Sequence, residues 1–267
     1  MSVILKKKGD LSYYEAEGIG ASHCFTTRLG GVSEGYLSSM NIGTSRGDQP
    51  ENVLKNYDIL GKNLGFDPHM AVLSRQVHSD IVRVVGKDQA GAGLYSPHLS
   101  DCDGLITNEK GLALVIFTAD CTPILFWDPE TGAVGAAHAG WRGTAKAIGA
   151  RTVEAMAENF GCKPRNIRAA IGPNIGKCHF ETNADVPEAM VAAFGEEVKE
   201  FIFPQGEKFH VDLKAINAMV LRRAGVQHIE ISTACTACRS DLFWSHRVLG
   251  QKRGSEGAVI VCGEGCK

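Results

Sequence analysis

The segment Thr118 to Gly143, TADCTPILFWDPETGAVGAAHAGWRG, constrains the fold more than any other stretch, because two apolar runs face each other across a compact turn and end in polar groups. Ile124–Trp127 and Ala133–Ala137 read as buried strands, and Asp128-Pro129-Glu130-Thr131-Gly132 supplies turn-forming residues between them. Pairing across that turn puts Cys121 and His138 at the same open end of the hairpin. Thiolate and imidazole together suit either a zinc ion or a cysteine nucleophile with a basic partner, and a further ligand would favour the metal.

The chain of 267 residues is long enough to bury a large core and is expected to form one domain over residues 1–267. A formal charge of −2, with no Lys/Arg cluster beyond Lys6-Lys7-Lys8, leaves no electrostatic footprint for nucleic acid. Those three lysines read as a solvated tail. No apolar run approaches the length of a membrane helix, and MSVILKKKGD carries charges where a signal peptide needs its apolar core. The expectation is a soluble cytoplasmic protein with no membrane partner, a monomer or small homo-oligomer. Nine cysteines, an odd count, argue for reduced thiols or metal ligands over a disulfide framework. Cys235-x-x-Cys238 and Cys262-x3-Cys266 have spacings compatible with a four-thiolate zinc site, set against the simpler reading of buried or dangling thiols.

Strand-like runs recur at His23–Thr27, Ala71–Val77, Ile81–Val85, Gly104–Thr107, Ala113–Phe117, Ile124–Trp127, Ala133–Ala137, Ile167–Ile171, Ile229–Ser232 and Ala258–Val261. Helical stripes cover Pro50–Leu64, Thr144–Asn159, Asp185–Phe194 with an acidic N-cap candidate, and Asp212–Ala224. Interleaved strands and helices, with many tight strand-to-strand turns, predict an α/β (α+β) fold with mixed sheets and exclude a purely parallel doubly wound sheet.

His78, in Ser74-Arg75-Gln76-Val77-His78-Ser79-Asp80, occupies a turn between two strand-like runs. A histidine there is ordinarily a surface residue; its interest comes from Cys121 and His138. Together the three supply two neutral nitrogens and one thiolate, the ligand count that leaves a zinc ion one open position. Asp80 and Asp120 are the sequence-near candidates for orienting the imidazoles. His138-Ala139-Gly140-Trp141-Arg142-Gly143-Thr144 leaves a strand and opens a helix, so exposed amides and the Arg142 fork could bind an anion. Equally, Gly140 and Gly143 could serve only a tight turn with Trp141 packed on the core.

The residues resemble the laccase-domain or YfiH-like family, formerly called polyphenol oxidases and now also purine nucleoside phosphorylases. The resemblance runs through Phe25-Thr26-Thr27-Arg28-Leu29-Gly30-Gly31-Val32-Ser33, Met40-Asn41-Ile42-Gly43, Gln76-Val77-His78, Asp103-Gly104-Leu105-Ile106, Thr118-Ala119-Asp120-Cys121, His138-Ala139-Gly140-Trp141-Arg142-Gly143 and Ile171-Gly172-Pro173. It implies that His78, Cys121 and His138 are zinc ligands, with copper the second choice of metal, in a fold of mixed sheets sandwiched between helices. It further implies phosphorolysis of adenosine, inosine, guanosine and methylthioadenosine with phosphate as co-substrate, and deamination of adenosine. On this basis Cys121, His138 and Asp120 are the candidate catalytic residues, and Arg142, Gly140, Gly143, Asn41 and Gln76 the candidate substrate contacts. The chain departs from the common pattern at Cys178-His179, where many members have two cysteines, at Tyr57, where an arginine is common, and at His246, in a usually aromatic place.

Three other chemistries compete. A multicopper oxidase needs closely spaced histidine pairs, and none of the nine histidines forms a His-x-His pair. A metal-free cysteine amidase acting on a cell-wall precursor would use Cys121 as nucleophile and His138 as base. A non-catalytic module with structural zinc would not need an open ligand position.

Overall fold

The computed structural model describes residues 2–263. One six-stranded sheet runs β1 (Val3–Lys8), β2 (Leu11–Ala16), β3 (His23–Thr26), β15 (Glu256–Val261), β7 (Ala113–Thr118) and β4 (Ala71–Leu73). A second, also six-stranded, runs β14 (His228–Ile231), β10 (Arg168–Ile171), β8 (Thr122–Trp127), β9 (Val134–Ala139), β6 (Gly104–Thr107) and β5 (Val82–Val84). A small third sheet joins β11 (Glu181–Thr182), β13 (Lys208–Val211) and β12 (Ile202–Gln205). The helices are α1 (Pro50–Leu64), α2 (Trp141–Ala145), α3 (Ile148–Phe160), α4 (Asp185–Phe194), α5 (Leu213–Arg223) and α6 (His246–Leu249). Both large sheets mix parallel and antiparallel neighbours, as the tight turns predict.

The continuous apolar runs follow from burial on both faces. Side chains alternate across a strand, so Leu114, Ile116, Leu125, Ala136, Ala258 and Ile260 pack between the two large sheets. Their neighbours Ala113, Val115, Val259 and Val261 turn outward under Val53, Tyr57 and Leu60 of α1. On the other sheet, Ile124, Phe126, Ala137 and Ala169 turn outward under Ile148, Val153 and Met156 of α3 and Ala218 and Leu221 of α5. The result is a helix–sheet–sheet–helix sandwich, and no strand in its middle needs a polar face. Gly135 keeps α3 close: a Cβ there would meet Met156 Sδ and Thr152 Cγ2, each at 3.2 Å.

All ten expected strands form, with ends moved by a few residues. Among the described residues five more exist that the patterns did not reveal. The Lys6–Lys8 segment is no solvated tail but part of the edge strand β1, with Lys6 Nζ 2.6 Å from Glu15 Oε1 on β2. Lysines on an edge strand discourage pairing with another chain, which is why the strand reads as polar. The single helix expected over 144–159 instead begins at Trp141 and breaks at Ala147, whose φ is +59°. The break separates two packing tasks: Trp141 and Ala145 face the cluster built on α4 and α5, whereas α3 lies on the sheet. Ala184, not Asp185, occupies the α4 N-cap position, and Asp185 places its charge in the first turn. Among the described residues no helix is long and apolar enough to cross a membrane.

Candidate metal centre and active site

Two crossings between the large sheets and the connection from β5 to β6 within the second sheet meet at one spot. Ala119, Asp120 and Cys121 carry the chain from β7 to β8; the loop holding His78 carries it from β4 to β5; and Asp103 stands at the entry to β6. In the β8–β9 hairpin Thr122 pairs with Ala139 and Pro123 with His138, so Cys121 and the His138 ring lie at the same end, as the turn predicted. His78 joins them: its Nε2 is 3.8 Å from Cys121 Sγ, and its ring meets the His138 ring edge-on at 4.9 Å between centroids. All three ligand atoms lie within 4.8 Å of one another. A tetrahedral zinc ion sets neighbouring sulfur and nitrogen ligands roughly 3.6 Å apart, so the donor set fits such an ion with little movement.

Asp103 holds this arrangement. Its buried carboxylate accepts from His138 Nδ1 (2.8 Å), from the backbone N–H groups of Val77 (3.1 Å), His78 (3.0 Å) and Ser79 (2.7 Å), and from Ser79 Oγ (2.7 Å). One carboxylate therefore orients the His138 ring, leaving Nε2 for a metal, and also fixes the loop that presents His78. His78 is held at φ +60°, a left-handed conformation that costs about 1–2 kcal/mol in a residue with a Cβ. The three N–H bonds to Asp103 offset that cost. In the sequence Asp103 is marked only as the first residue of Asp103-Gly104-Leu105-Ile106; no spacing links it to a histidine 35 positions away.

The expected partners of the imidazoles do other work. Among the described residues neither Asp80 nor Asp120 bonds to a site imidazole. Asp120, at φ +84°, accepts from Thr236 Oγ1 (2.5 Å), Ser245 Oγ (3.0 Å) and the Arg247 N–H (2.7 Å). Both its oxygens are engaged, so it ties the Cys121 turn to two distant loops. Asn41 is fully buried, with its amide bonded to Gly43, Asp48 and Ser255. It shapes the cleft wall through Gly43 and Ser255, both of which line the cleft. Gln76 also lines the cleft, but its amide is clamped to the Phe117 backbone at 2.6 and 2.8 Å. Gly140 is a close-approach position: a Cβ would lie 2.6 Å from His78 Cδ2 and 3.2 Å from Cys121 Sγ. At Gly143 the limit is milder, with His138 O at 3.3 Å. Arg142 folds over the Trp141 ring, 4.2 Å from its centroid, and does not line either cleft.

Two clefts share His78, Ala119, Cys121 and Arg253 as a common wall. The first, about 390 Å³, is polar and includes Arg46, Arg75, Ser74 and Thr118. The second, about 310 Å³, is walled largely by Trp141, Ile175, Phe180 and Leu213, with Asp120, His246 and Arg247 also lining it. Arg46 and Arg253 are the cationic residues that sequence reasoning missed; they come from loops with no motif of their own. The Arg46 Nε atom is buried and has no hydrogen-bond partner among the described residues.

Burial alone would push the Cys121 thiol up and the His138 imidazole down. Their mutual attraction outweighs it, reinforced by His78 beside the sulfur and Asp103 behind His138, and brings Cys121 down to about 6 and His138 up to about 9. Asp103 titrates well below the usual carboxylate range: burial opposes this, but the His138 and Ser79 hydrogen bonds win. Without a metal, the centre is a thiolate–imidazolium pair. A dication replaces the shared proton with a stronger positive charge.

The fold is a layered α/β sandwich with mixed sheets, and a two-histidine, one-cysteine donor set that could hold a metal ion lies at the seam of its sheets. Residues 22–263 match the family described as multi-copper polyphenol oxidoreductase laccase, and the chain belongs to that family. It is 38% identical over 250 residues to a protein of Deinococcus radiodurans named purine nucleoside phosphorylase, covering 94% of this chain and 92% of the relative. The Escherichia coli relative named purine nucleoside phosphorylase YfiH is 34% identical, covering 85% and 88%. The crystal structure of the Bacillus licheniformis hypothetical protein YfiH superposes with a TM-score of 0.91 at 32% identity, covering 96% of this chain and 98% of that one. YlmD from Geobacillus stearothermophilus gives 0.88, also at 32% identity, covering 98% and 100%.

Proposed function

We propose that the chain is a zinc-dependent purine nucleoside phosphorylase acting on adenosine, inosine, guanosine and methylthioadenosine, with adenosine deamination as a second activity. The observation that carries this reading is the position of the His78, Cys121 and His138 donors, where a polar cleft and a largely apolar one meet along a wall that includes Arg253, in a chain whose relatives bear the phosphorylase name. Zinc bound there supplies a Lewis acid with one position open.

The residues divide the substrate between them. Arg46 and Arg253 attract phosphate to the polar cleft through their guanidinium groups. Trp141 and Phe180 offer flat apolar surface to a purine in the other cleft. In phosphorolysis a phosphate oxygen bonds to the anomeric carbon as the glycosidic C–N bond breaks; the bond pair leaves with the purine, which takes up a proton. Holding both reactants against one wall supplies the proximity such a displacement needs. Asp103 keeps His138 oriented throughout, and Asp120, which accepts from Thr236, Ser245 and the Arg247 N–H, acts as a positioning residue for the Cys121 turn. Deamination uses the same purine site: water adds at the purine carbon that bears the amino group, the C–N bond breaks, and the amino group takes up a proton and leaves as ammonia.

A second reading draws support from Cys121 at about 6 and the Cys121–His138–Asp103 alignment, which suits a cysteine amidase. Incubating zinc-verified protein with adenosine, with and without phosphate, and separating adenine, inosine and hypoxanthine distinguishes these activities. Phosphate-dependent adenine release is the expected result, and inosine formed without phosphate would report deamination. No nucleoside turnover, together with amide hydrolysis abolished by alkylating Cys121, would replace the phosphorylase with the amidase.

A further inference from the structure

A second group of donors lies on loops outside the hairpin centre. β10 and β14 are parallel neighbours with Ile171 opposite Ile231, so the loops that follow them leave the sheet side by side. They are joined again at the bridge between Asn174 and Cys235. This topology brings Cys178 and His179 of one loop against Cys235 and Cys238 of the other, with all four ligand atoms within 4.8 Å of one another. Of the cysteines whose spacing is compatible with a four-thiolate set, Cys262 follows the simpler reading, buried between the large sheets with its Sγ 3.5 Å from Gly132 O, and Cys266 lies outside the described residues.

We propose that Cys178, His179, Cys235 and Cys238 bind a second zinc ion, a closed structural site that staples the two loops behind the apolar cleft. The separations are 3.5 Å for Cys178 Sγ to Cys238 Sγ, and 3.4, 3.3 and 3.8 Å from His179 Nδ1 to the sulfurs of Cys178, Cys238 and Cys235. Tetrahedral zinc sets ligand pairs roughly 3.6 to 3.8 Å apart, and three thiolates with one imidazole fill its four positions. A borderline-soft dication suits such donors, which are poor ligands for magnesium or calcium.

The surroundings are built for the cluster. The Gly176 N–H points at Cys235 Sγ from 3.1 Å, the hydrogen bond a ligating thiolate accepts, and a Cβ on Gly176 would meet Cys235 Cβ at 3.2 Å and Cys178 Sγ at 3.3 Å. Three thiolates on one dication leave a net negative charge. The buried Lys214, whose Nζ donates to Ala234 O at 2.6 Å, stands beside Cys235 to balance it. The site connects to the catalytic wall: Arg247 bonds the carbonyls of His179 (2.8 Å) and Glu181 (2.9 Å) through its guanidinium, and its N–H bonds Asp120, the neighbour of Cys121. Thr236, between Cys235 and Cys238, bonds the other Asp120 oxygen. A zinc ion there would fix both anchors of the Cys121 turn.

Zinc content decides the matter. In full-length protein purified under reducing conditions without chelators, the double variant Cys178→Ser/Cys238→Ser is expected to lose about one metal equivalent relative to wild type, whereas His78→Ala, at the other centre, leaves that equivalent in place. A double variant with wild-type zinc content would overturn the assignment. Should that variant fail to fold, peptide-mapped alkylation of the wild-type chain provides the answer. Cys178 and Cys238, both exposed, are expected to resist alkylation in the zinc-loaded protein and to react after a chelator is added. Equal labelling in both conditions, or a Cys178–Cys238 disulfide in the reduced protein, would count against the site.

Discussion

The hairpin centre and the loop cluster use the same donor types, yet they are built in opposite ways. His138 sits on a strand in the middle of the sandwich, and the other two donors sit on crossings clamped by Asp103 and Asp120. Three donors leave one side open, where two clefts meet. The loop cluster has four donors, three of them exposed, and its N–H···S bond comes from a loop glycine. An open ligand position on a rigid frame suits chemistry, and a closed set on loops suits cross-linking. The contrast also accounts for where the negative charge falls: one buried carboxylate supports the first centre, one buried lysine the second.

The largest effect is expected at the carboxylate that frames the open centre. Asp103→Ala leaves three N–H groups and a buried imidazole without their partner, so chemical denaturation should show a loss of about 3–5 kcal/mol. Asp103→Asn keeps the shape but removes the charge; competition with a chromophoric chelator should show zinc affinity at the hairpin centre about 10- to 100-fold weaker. Unchanged affinity would mean that His138 needs no orienting partner. Next in size is Arg253→Met, which removes a cation from the shared wall. Its phosphate KM should rise by about tenfold, a loss close to 1.4 kcal/mol, while its melting temperature stays near that of wild type; an unchanged phosphate KM would move the anion elsewhere.

A pH titration sharpens the comparison without any metal. In chelator-treated protein, alkylation of Cys121 should persist as pH falls until the thiolate is protonated near 6, because His138 and His78 favour the charged sulfur over the cost of its burial. His138→Asn should move that midpoint upward, so that labelling at neutral pH slows. The smallest effect belongs to Arg142→Ala. Its guanidinium lies on Trp141 outside both clefts, so stability should change by no more than about 0.5 kcal/mol, with little change in phosphate KM.

What the sequence revealed depended on whether the information was local. The apolar runs of β7, β8, β9 and β15 are buried on both faces, so their composition alone marks them, and the turn at 128–132 fixes Cys121 opposite His138. β1 was hidden because an edge strand carries lysines, β12 because three of its four residues are exposed, and β13 because only Val211 of its four is buried. Asp103 was hidden for a different reason: it acts through the antiparallel pairing of β6 with β9, which places residue 104 opposite residue 137. The pairing of Cys235 and Cys238 with Cys178 and His179 required knowing that β10 and β14 are parallel neighbours. Spacing alone pointed to Cys262, which the core absorbs.

The most direct measurement compares phosphate-dependent release of adenine from adenosine by the wild-type chain and by His78→Ala at matched zinc and phosphate. His78 is the most accessible of the three donors, so its removal should disturb the fold least. Wild type should release adenine only when phosphate is present, and the variant should lose at least about 100-fold in kcat/KM, near 2.7 kcal/mol of transition-state stabilisation, while keeping its melting temperature. Adenine release by His78→Ala at the wild-type rate would contradict catalysis at this centre.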